Sequence, residues 1–378
     1  MSDFATVNDM PERHRDFTAQ RFAFLEKARE QLPDDADLTV EALLRTPPRP
    51  LAPVVIDDPA SLTDGEREAI AAQFWGPDAV AYAAVANYSK LLDGRHIVLT
   101  VAEQLSDDLG LRYPVEHPME QHPEARGRFG EPDGTLKIYN LPIPDGVDKY
   151  REVAESKELF AAHNDGLGYG GAVAAVTFFL DSPPAWGGYT CFQNLLRIAI
   201  AIANDDPDGF EAMFLPDAIT ALRPRGKGAI RVTSPILYLN TVGEAQTFYR
   251  VSSGEYVITW RHDVAALNRV APLLLQLAQP FAPASTFVHL MHPGEGVFIR
   301  NAAAIHSRTP FEDDVYGTSR VLARKWFVRS AGDATYKHVP GMNVAPEYAA
   351  LFPEYFASEL VEGEWHFDAA SGENRRIG

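Results

Sequence analysis

Apolar residues sit among Arg, Lys and Glu over residues 12–32, with Phe17, Phe22, Phe24 and Leu25 as the anchors, and this predicts an amphipathic helix ending before Pro33. Thr63-Asp64-Gly65-Glu66 has the capping-box form and opens a helix through Phe74; Thr100 to Glu103 repeats the form and predicts a second one, closed by Gly110. The pattern then changes. Residues 136–141 alternate apolar and polar, and 172–180 are apolar almost throughout, so both read as strands, the second buried on its two faces. An apolar helix over 194–203 and a second helical piece over 207–214 interrupt them. Strands are expected again at 229–241, 246–251 and 256–261, separated by hairpin turns at 242–244 and 252–254, and at 286–291, 296–300 and 319–328. Asp263 is placed to cap a helix running to Gln279, kinked or split at Pro272. Many short strands with inserted helices imply a mainly β fold, a sandwich or barrel, of which the double-stranded β-helix or jelly roll commonly surrounds a metal.

This organisation divides the chain into a helical N-terminal lead-in (1–110) packing on the core, a jelly-roll core (111–330) and an aromatic-rich extension (331–378), one structural domain overall. The proline-rich link at 46–53 is a spacer, since it suits neither a helix interior nor a central strand. The extension carries too many aromatics for disorder, and packing as a lid or against another subunit are both open. No repeat or low-complexity tract occurs.

Composition narrows the function classes. A net charge of -18 repels a phosphate backbone, so nucleic acid is not an expected partner. The single Cys191 excludes an internal disulfide and fits a reducing compartment, there is no signal-peptide pattern, and the apolar runs are too short to span a bilayer. A cytoplasmic protein acting on a small molecule, without a membrane partner and of undetermined oligomeric state, is the expectation.

The chemistry centres on His163-Asn164-Asp165, at the end of the extended run 157–162. On a strand, residues two apart project to one side at a spacing of about 7 Å, so one imidazole and one carboxylate converge. The best third ligand is His306. Two histidines and one carboxylate on one face of a metal, with positions left open, is the ligand set of non-haem Fe(II) oxygenases. Arg320 and Arg324 lie 14 and 18 residues beyond His306 and an even number apart, so on one strand they share a face. Guanidinium groups turned inward need anionic partners, and a dicarboxylate co-substrate and an anionic substrate would supply them. His117 and His122 read as solvated loop histidines, His289 and His292 fall on opposite strand faces, and Asn301 and Arg308 read as structural.

Taken together, H-N-D at 163–165, G-G-Y-T at 187–190, N-A-A-A-I-H-S-R-T-P-F at 301–311 and R-V-L-A-R at 320–324 resemble the Fe(II)/2-oxoglutarate oxygenases of the taurine dioxygenase type, in their clavaminate synthase-like branch with the arginine β-hydroxylases. Many members of that branch carry Glu where this chain has Asp165. The resemblance implies that His163, Asp165 and His306 hold Fe(II). It implies too that Arg320 and the Thr190 hydroxyl bind the distal carboxylate of 2-oxoglutarate, and that Arg324 meets a carboxylate of the substrate. With O2 as oxidant, such an enzyme oxidises an unactivated C–H bond of a small amino acid or related zwitterion, by hydroxylation, desaturation or cyclisation, and releases succinate and CO2. Asp165 disfavours halogenation, because it occupies the position a halide would need. Asp263, for a substrate ammonium or as the helix cap, and Tyr139 and Asn140 are further pocket candidates. Two other readings compete. A zinc hydrolase on the same three residues leaves the arginine pair and Thr190 unexplained and lacks an H-E-x-x-H motif, and a non-catalytic jelly-roll binding protein predicts loss of a ligand, which has not occurred.

Overall fold

Strand after strand in the middle of the chain is apolar at consecutive positions because each is covered on both faces. The computed structural model describes residues 12–47, 50–115, 134–140, 156–166, 173–215, 217–225, 228–239, 244–252, 256–314, 317, 319–328, 357–362, 364–368 and 373–377. The fold is mostly β with several helices. A seven-stranded sheet runs in the order Val54–Ile56, Val80–Val85, Glu295–Arg300, Val173–Ser182 and Val321–Val328. Two short strands, Tyr113–Val115 and Leu136–Tyr139, pair with successive halves of Val321–Val328. Among the described residues only the Val54–Ile56 pairing is parallel. Val176, Phe178, Leu180, Leu322 and Trp326 point into the main core. Ala175, Phe179, Ala323 and Phe327 alternate with them and pack under the helices Asp64–Trp75, Ile97–Gln104 and Ser106–Leu109.

A second, four-stranded antiparallel sheet has the order Ser285–His289, Thr190–Asn194, Ala304–Arg308, Phe160–His163. It faces the main-core side of the large sheet, and the cavity between the two is lined from both. A third sheet joins Val257–Trp260, Ile219–Arg225, Gly228–Ser234 and Ala357–Glu362, so part of the C-terminal extension completes a sheet by backbone pairing with Gly228–Ser234.

The N-terminal helix Glu12–Gln31 packs on the helices Leu195–Asp205 and Pro207–Ala212. Phe24 is fully buried and meets Phe214 edge-on at 5.2 Å. A ring buried this way contributes roughly 1.5–3 kcal/mol. Asp35 receives both Nε and Nη2 of Arg197, at 2.7 and 3.0 Å, in a fork that ties the segment after the first helix to the Leu195–Asp205 helix. Phe22, by contrast, is exposed.

Local signals held in some places and not in others. Thr63 and Glu66 form the capping box, with Glu66 N–H on Thr63 Oγ1 at 3.2 Å and Thr63 N–H on Glu66 Oε2 at 2.6 Å. Gly110 closes Ser106–Leu109 in the left-handed region. Thr100 lies inside Ile97–Gln104 instead of opening it: His96 is the cap, its Nδ1 accepting from Val98 N–H at 3.1 Å. An aromatic nitrogen made the bond that the Thr-x-x-Glu pattern promised elsewhere. Val257–Trp260 pairs with Ile219–Arg225, a strand that the Pro at 224 concealed, and most of the turn expected at 252–254 lies outside the described residues. The helix Ala265–Leu277 continues through Pro272. No helix among the described residues is long and apolar enough to cross a membrane. His117 and His122 lie outside the described residues, as do the aromatics at 348, 352, 355 and 356.

Candidate metal centre

His163 ends the Phe160–His163 strand and stands directly opposite His306 of Ala304–Arg308. Opposed residues in an antiparallel pair project to the same side, and the two rings lie 4.3 Å apart between centroids. Two asparagines set the turn that brings in the carboxylate. Asn164 donates from Nδ2 to the carbonyls of Asn301 and Ala304, at 2.5 and 3.0 Å, and accepts from Tyr249 N–H at 2.7 Å. Asn301 accepts from Asp165 N–H at 2.8 Å and donates to the carbonyls of Asp165 and Val173. Every one of these bonds is buried, so the loop has one conformation available to it.

The result is a cluster in which one ligand atom from each of His163, Asp165 and His306 lies within 4.8 Å of the others. His163 Nε2 is 3.3 Å from Asp165 Oδ1 and His306 Nε2 is 3.9 Å from Oδ2. The three ligand atoms, all within 4.8 Å of one another, would draw closer on binding a shared ion at about 2 Å. The chemistry of the donors fits a metal as well. His163 Nδ1 lies 2.8 Å from Ala161 O, which fixes the proton there and turns the Nε2 lone pair toward the cluster, where Nε2 has no hydrogen-bond partner.

Electrostatics point the same way. Burial, then the charge of Arg250, lowers the pKa of His163, and burial with His163 beside it holds His306 well below the usual imidazole range. Both rings are therefore neutral at pH 7, the form in which an imidazole can bind a metal. Burial by itself would raise Asp165, but the Arg324 guanidinium holds it well below the carboxylate range. Its Oδ2 accepts from Trp326 Nε1 at 2.7 Å and from Arg324 Nη1 at 3.4 Å.

Beside the triad is a small cavity of about 30 Å³. Thr190 and His306 face it from the small sheet, and Arg320, Leu322 and Arg324 from the large one. Both arginines are buried, and burial brings Arg320 down to about 10 against the opposing pull of Asp313. It remains a cation at neutral pH. Asp313 also accepts from Arg320 N–H at 2.7 Å, and the guanidinium lies over the Phe311 ring at 5.4 Å. The glycines of G-G-Y-T have a steric reason. Gly187 and Gly188 both have positive φ; a Cβ at the first would stand 2.3 Å from Pro310 O, and one at the second 3.3 Å from Arg320 Nε.

Not every expected residue arrives at the cavity. Asp263 is exposed and bound by Arg261, which also pairs with Asp217; the helix cap is Val264, without a side-chain bond. A local arginine satisfies the carboxylate, so Asp263 serves neither of its expected roles. Tyr139 and Asn140 do not line the cavity either. Ile138 opposes Leu322 and takes the cavity position, Tyr139 packs half-buried against the main core, and Asn140 donates to Asp313 at 3.3 Å. Arg324 was expected to await a substrate anion, and the structure gives it Asp165. Arg308 is structural, donating to the carbonyls of Ser156 and Glu158. Sequence reasoning missed Trp326, although it follows Arg324 by two on the same strand face. It also missed Arg250, which no spacing rule connects to His163.

The model of the Taurine catabolism dioxygenase TauD, TfdA family matches residues 102–326, more than half of the chain and the whole of the site. The chain belongs to this family. It is an Fe(II)- and 2-oxoglutarate-dependent dioxygenase, which removes the zinc hydrolase and the non-catalytic binding protein from consideration. No curated protein matches the dioxygenase. Among solved structures, it shares its fold with an asparagine oxygenase (AsnO), at a TM-score of 0.50 and 14% identity over 85% of this chain and 95% of that one. A similar likeness holds to the non-heme iron oxygenase OrfP in complex with Fe and alpha-ketoglutaric acid, with a TM-score of 0.50 and 14% identity over 86% and 98% of the two chains.

Proposed function

We propose that the dioxygenase is a jelly roll whose two facing sheets hold Fe(II) on His163, Asp165 and His306, and that it hydroxylates an unactivated C–H bond of a small amino acid or related anionic or zwitterionic metabolite, releasing succinate and CO2. The N-terminal helices act as a lead-in packed on that core, within one structural domain. One observation carries the reading: two neutral imidazoles and an ionised carboxylate converge within 4.8 Å beside buried arginines that face a cavity.

Iron and 2-oxoglutarate, when bound, supply the oxidising power for C–H cleavage. The remaining work falls to the chain. The Arg320 fork and the Thr190 hydroxyl take the distal carboxylate of 2-oxoglutarate. Arg324 braces Asp165 through Nη1, and its Nε, which has no hydrogen-bond partner, is left for the carboxylate of the substrate. Phe160, Phe178, Ile138 and Leu322 form apolar walls that exclude water and strengthen these charged contacts. Asp165 keeps the position that a halide would require, which directs the outcome to oxygenation.

Succinate release across free amino acids, carrier-bound amino acids and sulfonates tests the assignment. Stimulation by one class, matched mole for mole by an oxidised product, is expected. Tight 2-oxoglutarate binding with stimulation by none of the three classes would contradict it.

A further inference from the structure

Arg250 stands directly across from His163 in an antiparallel bridge. The pairing is continued on either side by Val251 N–H on Ala162 O at 2.8 Å and Asn164 N–H on Tyr249 O at 3.0 Å. Opposed residues of this kind carry their Cβ atoms about 4.5–5.5 Å apart on one side of the sheet, so Arg250 rises on the face that presents the two histidines. Both imidazoles register its charge. The side chain is 7% exposed and its guanidinium rests 3.9 Å from the centroid of the Tyr256 ring. Neither Nε nor Nη1 has a hydrogen-bond partner, and no carboxylate among the described residues pairs with it.

The other arginines at the site are accounted for differently. Arg324 has Asp165, Arg308 has two carbonyls and Arg320 has Asp313 beside it. An aromatic face offsets only part of the cost of burying a cation, about 0.5–2 kcal/mol, whereas an uncompensated buried charge costs several. A residue that served the fold alone would be better replaced by an apolar chain of the same length. Arg250 thus has the character of a group kept for a ligand.

We propose that Arg250 is a specificity residue that takes a second acidic group of the primary substrate, a carboxylate or sulfonate, so that the substrate is a small molecule with acids at both ends, of the class of L-aspartate and L-glutamate. The inference rests on the reading of His163, Asp165 and His306 as the active centre of the dioxygenase. Arg250 does not line the small cavity but stands beside His163, so one acid would meet Arg324 on the large sheet and the other would reach past the metal centre to Arg250. The target C–H bond lies between them, next to the metal.

Calorimetry without oxygen, on the protein loaded with Fe(II) and 2-oxoglutarate, compares L-aspartate with L-asparagine and L-glutamate with L-glutamine. At least one acid should bind tenfold or more tightly than its amide. Arg250→Met should erase that preference and Arg250→Lys should restore part of it. Melting of the metal-free protein gives the second readout. Met still packs on Tyr256 and removes an unpaired charge, so Arg250→Met should melt no lower than the parent. A lowered melting temperature with the acid preference intact would assign Arg250 to the fold and overturn the proposal. So would the absence of an acid preference in the parent, or binding of neither acid. Failure of 2-oxoglutarate to bind would instead count against the reading of the site; the acid and amide comparison, which needs no turnover, still decides the role of Arg250.

Discussion

Replacing Trp326 with Phe removes a single donor from the proposed metal centre and leaves the apolar ring. In the parent, Trp326 Nε1 donates to Asp165 Oδ2 at 2.7 Å, a short bond to an ionised acceptor in a fully buried setting. Hydrogen bonds to charged groups contribute about 1.5–3 kcal/mol, and one decade of affinity corresponds to about 1.4 kcal/mol. The indole is not one of the proposed ligands; it orients the carboxylate that is. Loss of such an outer contact costs about 10- to 100-fold in metal affinity, which agrees with the hydrogen-bond figure. Arg324 still holds the same oxygen, at 3.4 Å, and places the effect toward the lower end. Titration of the metal-free variant with Fe(II) under argon should therefore show a Kd raised by about tenfold or somewhat more, with 2-oxoglutarate affinity at saturating metal little changed. Unchanged metal affinity in a variant that is folded by circular dichroism would refute the reasoning that Asp165 is oriented by this bond.

Three other perturbations are equally specific. Arg320→Ala should raise the 2-oxoglutarate concentration needed for half-maximal turnover by one to two decades, from the loss of about 1.5–3 kcal/mol; an unchanged requirement would move the co-substrate elsewhere. Asn301→Ala deletes three buried hydrogen bonds around Asp165 and leaves at least one carbonyl unsatisfied, so it should lower unfolding free energy by at least about 2 kcal/mol in urea melts as well as weakening metal. Asp206 caps the helix Pro207–Ala212 and pairs with Arg269 through two bonds, and the Arg269 hydrogen bond lowers its pKa. A depressed folded pKa gives stability that is present above the unfolded value near 4 and lost as pH falls through the folded one. The difference in melting temperature between the parent and Asp206→Asn should accordingly be largest at neutral pH and vanish in acid; a constant difference would assign it to packing.

The sequence was most readable where geometry is local. The alternation of Arg320, Leu322 and Arg324 and the Thr63 capping box each depend on a few consecutive residues, and the structure places both as the local pattern implies; His163 and Asp165 also converge, but through a bend after the strand ends at His163 and not by alternation along one strand. Contacts made across the fold were not readable. Asp263 looked available until Arg261 and Asp217 were seen beside it, and Arg324 looked unpaired until the strand register set it against Asp165. Arg250 reaches His163 only because a segment more than eighty residues downstream lies along the edge of the metal strand. Ile219–Arg225 was hidden by a proline that pairs with Ala229 inside the sheet. Side-chain alternation is dictated by the backbone; which residue stands opposite is decided by the tertiary structure.

The visible absorption spectrum of the protein with Fe(II) and 2-oxoglutarate, recorded without oxygen, tests the central claim most directly. If His163, Asp165 and His306 hold the iron, positions would be left for a chelating 2-oxo acid, and such a complex would give a weak charge-transfer band. The band should appear in the parent, vanish when His163 or His306 is changed to Ala, and need more 2-oxoglutarate in Arg320→Ala. No band in the parent, or one that survives in both histidine variants, would contradict the account.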